Sequence, residues 1–224
     1  QELSQEEVSD EGSQDSKQTD SNEQSSSSSN QESGNQSQSS GLTIQTLPDI
    51  KEFITNKSDR FFVDFEDIIA GHPYVGKRSP RPHNDAQVYF SNTDPRWREA
   101  TKPSDFPPLY AVADGIIELA QGNGSYYNVV DHSDSDPPWW HSAYLLKLKF
   151  AQNNGNVVSF LYQMEGYVIK EDENFFRDYI LVENGQVVKK GDILGYKYVP
   201  TLEEMVGTMQ GSSHIAFALM EKRG

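Results

Sequence analysis

The side chains in this chain best able to hold a metal or move a proton are its five histidines and a few nearby carboxylates. His72, His83 and Asp85 lie close together in sequence, and His214 stands near the C-terminus. Imidazole nitrogens and carboxylate oxygens are the zinc donors left to a chain with no cysteine, which also has no thiol nucleophile and no disulfide. Gathered at one end of a fold, His72, His83 and Asp85 would supply three ligands and His214 would assist attack on a substrate. Asp131, Asp134 and Asp136 surround His132 but lack the glycine and closing glutamate of a calcium loop, so they read as a solvated loop. Trp139, Trp140 and His141, after Pro137-Pro138, put two indoles beside an imidazole. Such rings stack on sugars or grip a partner, and they also pack well in a core. Ser133 or Ser142 beside His141 has no third group in view, which leaves a serine hydrolase little support.

The elements that would carry these residues read as strands. Phe61–Phe65 is an apolar run, Gln87–Phe90 is short and β-prone, and Leu109–Val112 leads through Asp114-Gly115 into Ile116–Leu119. Ala143–Phe150 and Val157–Tyr162 flank the Asn153-Asn154-Gly155 turn; Tyr179–Val182 and Gln186–Val188 flank Asn184-Gly185, a strong hairpin dipeptide. Ile215–Met220 is the last strand, and Leu47–Lys57 reads as a short helix with Ile50, Phe53 and Ile54 on one face. Ser91–Pro108 and Asp131–Trp140 read as surface loops. Many short strands with Gly and Asn turns predict an all-β sandwich or barrel.

Three segments, in order, resemble the lysostaphin/LytM-type zinc metallopeptidases, which cut peptidoglycan. Pro108–Ile117 resembles that family's first strand–turn–strand. Val188-Lys189-Lys190-Gly191-Asp192-Ile193-Leu194-Gly195 resembles its glycine-bracketed turn, and Ser212–Leu219 its closing strand. The resemblance covers about residues 68–220 and implies a duplicated hybrid-motif β-sandwich. It also implies a zinc ion held by His and Asp of an early H-x-x-x-D motif and by the second His of a closing H-x-H. Here the closing motif reads His214-Ile215-Ala216, and Arg81 stands four residues before Asp85. Residues two apart on a strand share one face, so His214 and position 216 look into the same cleft. Alanine has no lone pair to offer a metal, and His214 matches the assisting histidine. In an alternative alignment Gln87 falls on a family histidine. A second assisting histidine is expected near Leu161–Met164, where none occurs. The resemblance therefore implies an inactive relative without a cofactor, kept as a binding or scaffold module. Its alternative is a zinc endopeptidase of cell-wall peptides with displaced ligands His72, His83 and Asp85, assisted by His214. A biotinyl or lipoyl carrier would need a lysine in a Met-Lys-Met or Asp-Lys-Ala setting, which is missing.

Composition divides the chain. Residues 1–41 hold 14 Ser and 8 Gln with only Leu3 and Val8 apolar, and they carry −8 of the chain's net −15. Such a segment cannot bury enough surface to offset ordering its backbone, so it reads as a disordered acidic tether. Residues 42–67 are expected to give a short helix and a lead-in strand, and 68–224 the metallopeptidase-like β domain. An acidic chain with no basic stripe is a poor nucleic-acid binder, and no apolar run is long enough to span a bilayer as a helix. A hydrophilic tether ahead of a β domain suits an extracytoplasmic or secreted protein held near a membrane or wall. A leader removed ahead of Gln1 would fit that expectation. The expected partners are cell-wall peptide or glycan, or an envelope protein.

Overall fold

In a computed structural model the described residues are 41–49, 61–73, 85–119, 126–207 and 212–223. Ten strands run through them: β1 (Ala70–His72), β2 (Ala86–Ser91), β3 (Pro108–Tyr110), β4 (Gly115–Glu118), β5 (Tyr127–His132), β6 (Trp139–Asn153), β7 (Asn156–Val168), β8 (Val187–Val188), β9 (Ile193–Tyr196) and β10 (Ser212–Arg223). Among the described residues the one α-helix, α1 (Pro95–Arg98), is a single turn. Its start follows from Asp94, whose side chain accepts the Arg96 backbone N–H, and from Pro95 at the first helical position. Eight strands form one antiparallel sheet in the order β1-β2-β10-β7-β6-β4-β8, with β5 also paired on β6. β3 and β9 make a separate two-stranded sheet. The domain is all-β, as its short strands and Gly/Asn turns predict.

Alternation along the long strands divides the large sheet into two faces. Val88 and Phe90 on β2, Tyr144, Leu146 and Leu148 on β6, Tyr162 and Met164 on β7, and Ile215 on β10 are all buried in one hydrophobic cluster. Leu109 and Leu194 of the small sheet belong to the same cluster. So do Phe62 and Val63, and Tyr162 ties this layer to the sheet by donating to the Tyr110 carbonyl at 2.9 Å. The intervening residues, including Gln87, Tyr89, Gln163, Glu165 and His214, lie on the opposite face. A period of two thus separates an apolar layer from a polar one on the same strands.

Some turns follow the sequence and others do not. Asn154 and Gly155 have φ of 48° and 81°, the pair of positive values a tight two-residue hairpin needs, and they join β6 to β7. Asp114-Gly115 and Asn184-Gly185, by contrast, close no hairpin. The chain leaves β3 in the small sheet and enters β4 in the large one, so the residues between them change sheets. β8 pairs with β4, and the expected strand Tyr179–Val182 is instead the end of a 3-10 segment (Glu173–Tyr179) and an isolated bridge at Ile180. Tight packing explains this: a Cβ at Gly195 would collide with the Tyr179 carbonyl oxygen, so β9 runs against that backbone. The Phe61–Phe65 run is not a strand either. Phe62 and Val63 turn inward as an aromatic plug, with Phe62 against Phe160, Tyr162 and Phe217. Of the helix expected over Leu47–Lys57, only residues 47–49 are described, and Asp49 forms a parallel bridge with Gln152. The rest of that segment, His83, and the expected tether over residues 1–40 lie outside the described residues.

Candidate functional site

Cross-strand neighbours in an antiparallel sheet share a face, so register lays out the polar side of the sheet. His214 on β10 stands between Tyr89 of β2 and Glu165 of β7. In the next row Ala216 stands between Gln87 and Gln163, and His72 of β1 lies opposite Gln87. The Tyr89 and His214 rings lie 5.3 Å apart, and Tyr89 donates its hydroxyl to Gln87 Oε1. Gln87 Nε2 reaches Asp85 Oδ2 at 3.5 Å, the outer limit of a hydrogen bond. Asp85, Gln87, Tyr89 and His214 thus follow one another across a single face.

At the far end of this face the β6–β7 ladder breaks. Ser142 pairs with Val168 and Ala143 with Glu165, so Gly166 and Tyr167 are extra residues on β7. Such bulges bend a strand and re-aim its side chains. Tyr167 has φ of 59°, a left-handed value that non-glycine residues rarely adopt and that costs about 1–3 kcal/mol. Contacts on both sides hold it there. Its hydroxyl lies 2.8 Å from His214 Nδ1, and its carbonyl accepts the Val206 N–H at 2.6 Å.

The bulge brings His141 of β6 next to Glu165. Its ring is fully buried, with Nδ1 3.2 Å from the Ser142 carbonyl oxygen and Nε2 3.5 Å from Glu165 Oε2. His214 Nε2 lies 3.4 Å from the same carboxylate oxygen. Glu165 Oε1 accepts from Gln163 Nε2. Glu165 therefore stands between two buried imidazoles. Burial pushes His141 down to about 4, and the positive charge of Lys197 acts in the same direction. The ring is neutral at pH 7.

Behind Glu165 lies Lys197, with no exposed surface. Its Nζ donates to the Glu165 carbonyl at 3.1 Å and the Tyr198 carbonyl at 2.7 Å. Burial lowers this amine to about 7. The two carbonyl oxygens take two of its N–H groups.

Trp139 and Trp140 are both half-buried. The Trp139 ring stacks on His132 at 3.8 Å, and Gly207 approaches so closely that a Cβ there would lie 2.7 Å from its Cζ2, Cζ3 and Cη2. Its neighbours are therefore the protein's own residues. Trp140 is half-buried opposite Asp131, and His141 points into the Glu165 cluster. Asp131 and His132 belong to β5 rather than to a loop, and burial lowers the His132 pKa.

Among the described residues the donor set does not fit the zinc that the family resemblance implies. Ala216 offers nothing, and its two neighbours on the face, Gln87 and Gln163, end in amides. Among the described residues no group of three or more His, Asp or Glu side chains could hold a metal ion. His72, Asp85 and His214 share the sheet face without forming such a group. The arrangement sets Glu165 between the His141 and His214 imidazoles, beside a row carrying the Gln87 and Gln163 amides.

Sequence reasoning placed His214 and position 216 on one face but missed Glu165, Tyr167 and Lys197. Glu165 was within reach of the same alternation, two residues beyond Gln163. Nothing in Tyr196-Lys197-Tyr198 marks the lysine as buried. Comparison with family models, with curated proteins and with solved structures finds no match.

Proposed function

We propose that this domain is a non-hydrolytic binding module of metallopeptidase-like build, working outside the cytoplasm on cell-wall peptide or glycan, or on an envelope protein. The row Gln87–Ala216–Gln163 carries this reading. At the centre of the polar face, where the resembled enzymes hold a metal ligand, stands a methyl group between two amides. Amides donate and accept at once, which suits peptide groups of a bound chain better than it suits a cation. A second reading, a zinc-dependent endopeptidase with displaced ligands, draws support from His72, Asp85 and His214 lying on that same face.

Zinc analysis of the full chain purified without chelator, alongside binding and cleavage assays on cell-wall fragments, separates the two. The binding reading expects no stoichiometric zinc, no cleavage of cross-links, and saturable binding that weakens in Gln87→Leu and Gln163→Leu. Ala216→His is expected to raise zinc affinity while hydrolysis stays near background, because Gln87 still offers an amide where an imidazole is needed. One zinc per unmodified chain, with cleavage lost in His72→Ala or Asp85→Ala, would replace the binding module with the peptidase.

A further inference from the structure

His141 Nδ1 faces a backbone carbonyl oxygen, which can only accept, so the ring proton sits on Nδ1. That leaves a lone pair on Nε2. Nε2 is buried, makes no hydrogen bond, and looks at Glu165 Oε2 from 3.5 Å. An unprotonated imidazole nitrogen and a carboxylate oxygen are both acceptors. They repel at this distance until one proton is placed between them. We infer that His141 and Glu165 form a buried proton latch, in which uptake of a single proton converts this opposed pair into a charge-assisted hydrogen bond joining β6 to the β7 bulge.

The groups facing His141 set the range in which the latch works. From β5 comes His132, whose ring stacks 5.2 Å away, and from β7 come Glu165 and the Tyr167 ring at 5.0 Å. His214 of β10 approaches the shared carboxylate from its other side, and Lys197 lies behind the bulge. His132 and Lys197 oppose a positive ring, and the hydrogen bond to the Ser142 carbonyl favours it. Burial is the largest effect and keeps the open form neutral near pH 7. The proton therefore loads on acidification, below the ordinary histidine value.

A strained element is positioned to respond. Tyr167, held at positive φ next to Glu165, receives the Val206 N–H on its carbonyl, and Gly207 packs on the Trp139 ring. Drawing Glu165 toward His141 moves the bulge to which residues 201–207 are attached. The latch needs neither a metal nor a particular partner, so its fate is independent of the binding reading.

Side-chain NMR of the full chain from pH 7.5 to 4 tests it. The His141 Cε1–H resonance is expected to titrate with a midpoint between about 4 and the ordinary 6.5. The Val206 amide should shift with the same midpoint. Glu165→Gln removes the carboxylate and should lower the His141 midpoint by about one unit or more, the size expected for loss of an opposite charge at this range. Gln163→Met strips a hydrogen bond from Glu165 and should raise it, which keeps the test open should Glu165→Gln not fold. An unchanged His141 midpoint in the folded variants, or a Val206 amide indifferent to the titration, overturns the latch.

Discussion

Leu148 and Lys147 are adjacent on β6 and meet opposite worlds. Leu148 is fully buried against the aromatic layer, whereas Lys147 pairs with Glu118 at 3.2 Å on the polar face. The same contrast runs along β7, from Tyr162 and Met164 inward to Gln163 and Glu165 outward. One set of strands thus carries two separate designs. The inner face supplies cohesion through close packing of apolar groups. The outer face holds titratable groups whose behaviour depends on how far each is kept from water. A mutation should therefore be read by its face before its distance from the site.

Four substitutions sharpen this contrast. The largest effect is expected from Leu148→Ala, which should cost about 2–5 kcal/mol of unfolding free energy by urea titration. Lys147→Ala next to it should cost at most about 1 kcal/mol, because a partly exposed ion pair contributes little. Similar losses for the two would erase the distinction between faces.

Lys197→Met comes next and has its own signature. The lysine ammonium, ordinarily near 10.5, is lowered to about 7 in the fold. Between those values the unfolded chain binds a proton that the folded chain does not, so stability rises with pH across that window and falls as pH drops toward 7. The variant should lose close to one proton from that slope, measured as melting temperature from pH 7 to 9.5. It also leaves the Glu165 and Tyr198 carbonyls without a donor, so it should be about 2 kcal/mol less stable at pH 9. That deficit should narrow toward pH 7. A slope shared by both proteins would show that Lys197 keeps its charge.

The smallest change is Tyr167→Phe. It deletes one hydroxyl from His214 Nδ1 and keeps the ring, so a loss of about 1 kcal/mol is expected. His214 should also become more mobile by NMR relaxation while the core-face methyl signals stay put. Disturbance of those methyl signals would mean that the faces are coupled through the bulge.

Much of the framework was legible because alternation is a strong signal on long strands. β2, β6, β7 and β10 announced themselves, and the Asn154-Gly155 turn followed from its dipeptide. Asn184-Gly185 carried the same kind of signal and misled, because Val187 and Val188 find a better partner in β4 than in the segment before the turn. The site was half legible. His214 and position 216 follow from a period of two, but His141 reaches Glu165 only because two extra residues interrupt β7, and nothing local in Glu165-Gly166-Tyr167-Val168 specifies a bulge. Lys197 was hidden for another reason. Its burial depends on two carbonyl groups distant in sequence or fixed by the fold, so the residue type points the wrong way.

The β6–β7 hairpin also has a mechanical meaning. Its 15- and 13-residue strands carry His141 and Glu165 near one end, while Gln152 near the other donates to the Ile44 and Pro48 carbonyls and bridges Asp49. At roughly 3.3 Å per residue the two attachments are about 35 Å apart. A pull transmitted through Gly41 would load the hairpin at its turn. The histidines sit at the opposite end of the lever, where that force arrives spread across the cross-strand hydrogen bonds of the ladder.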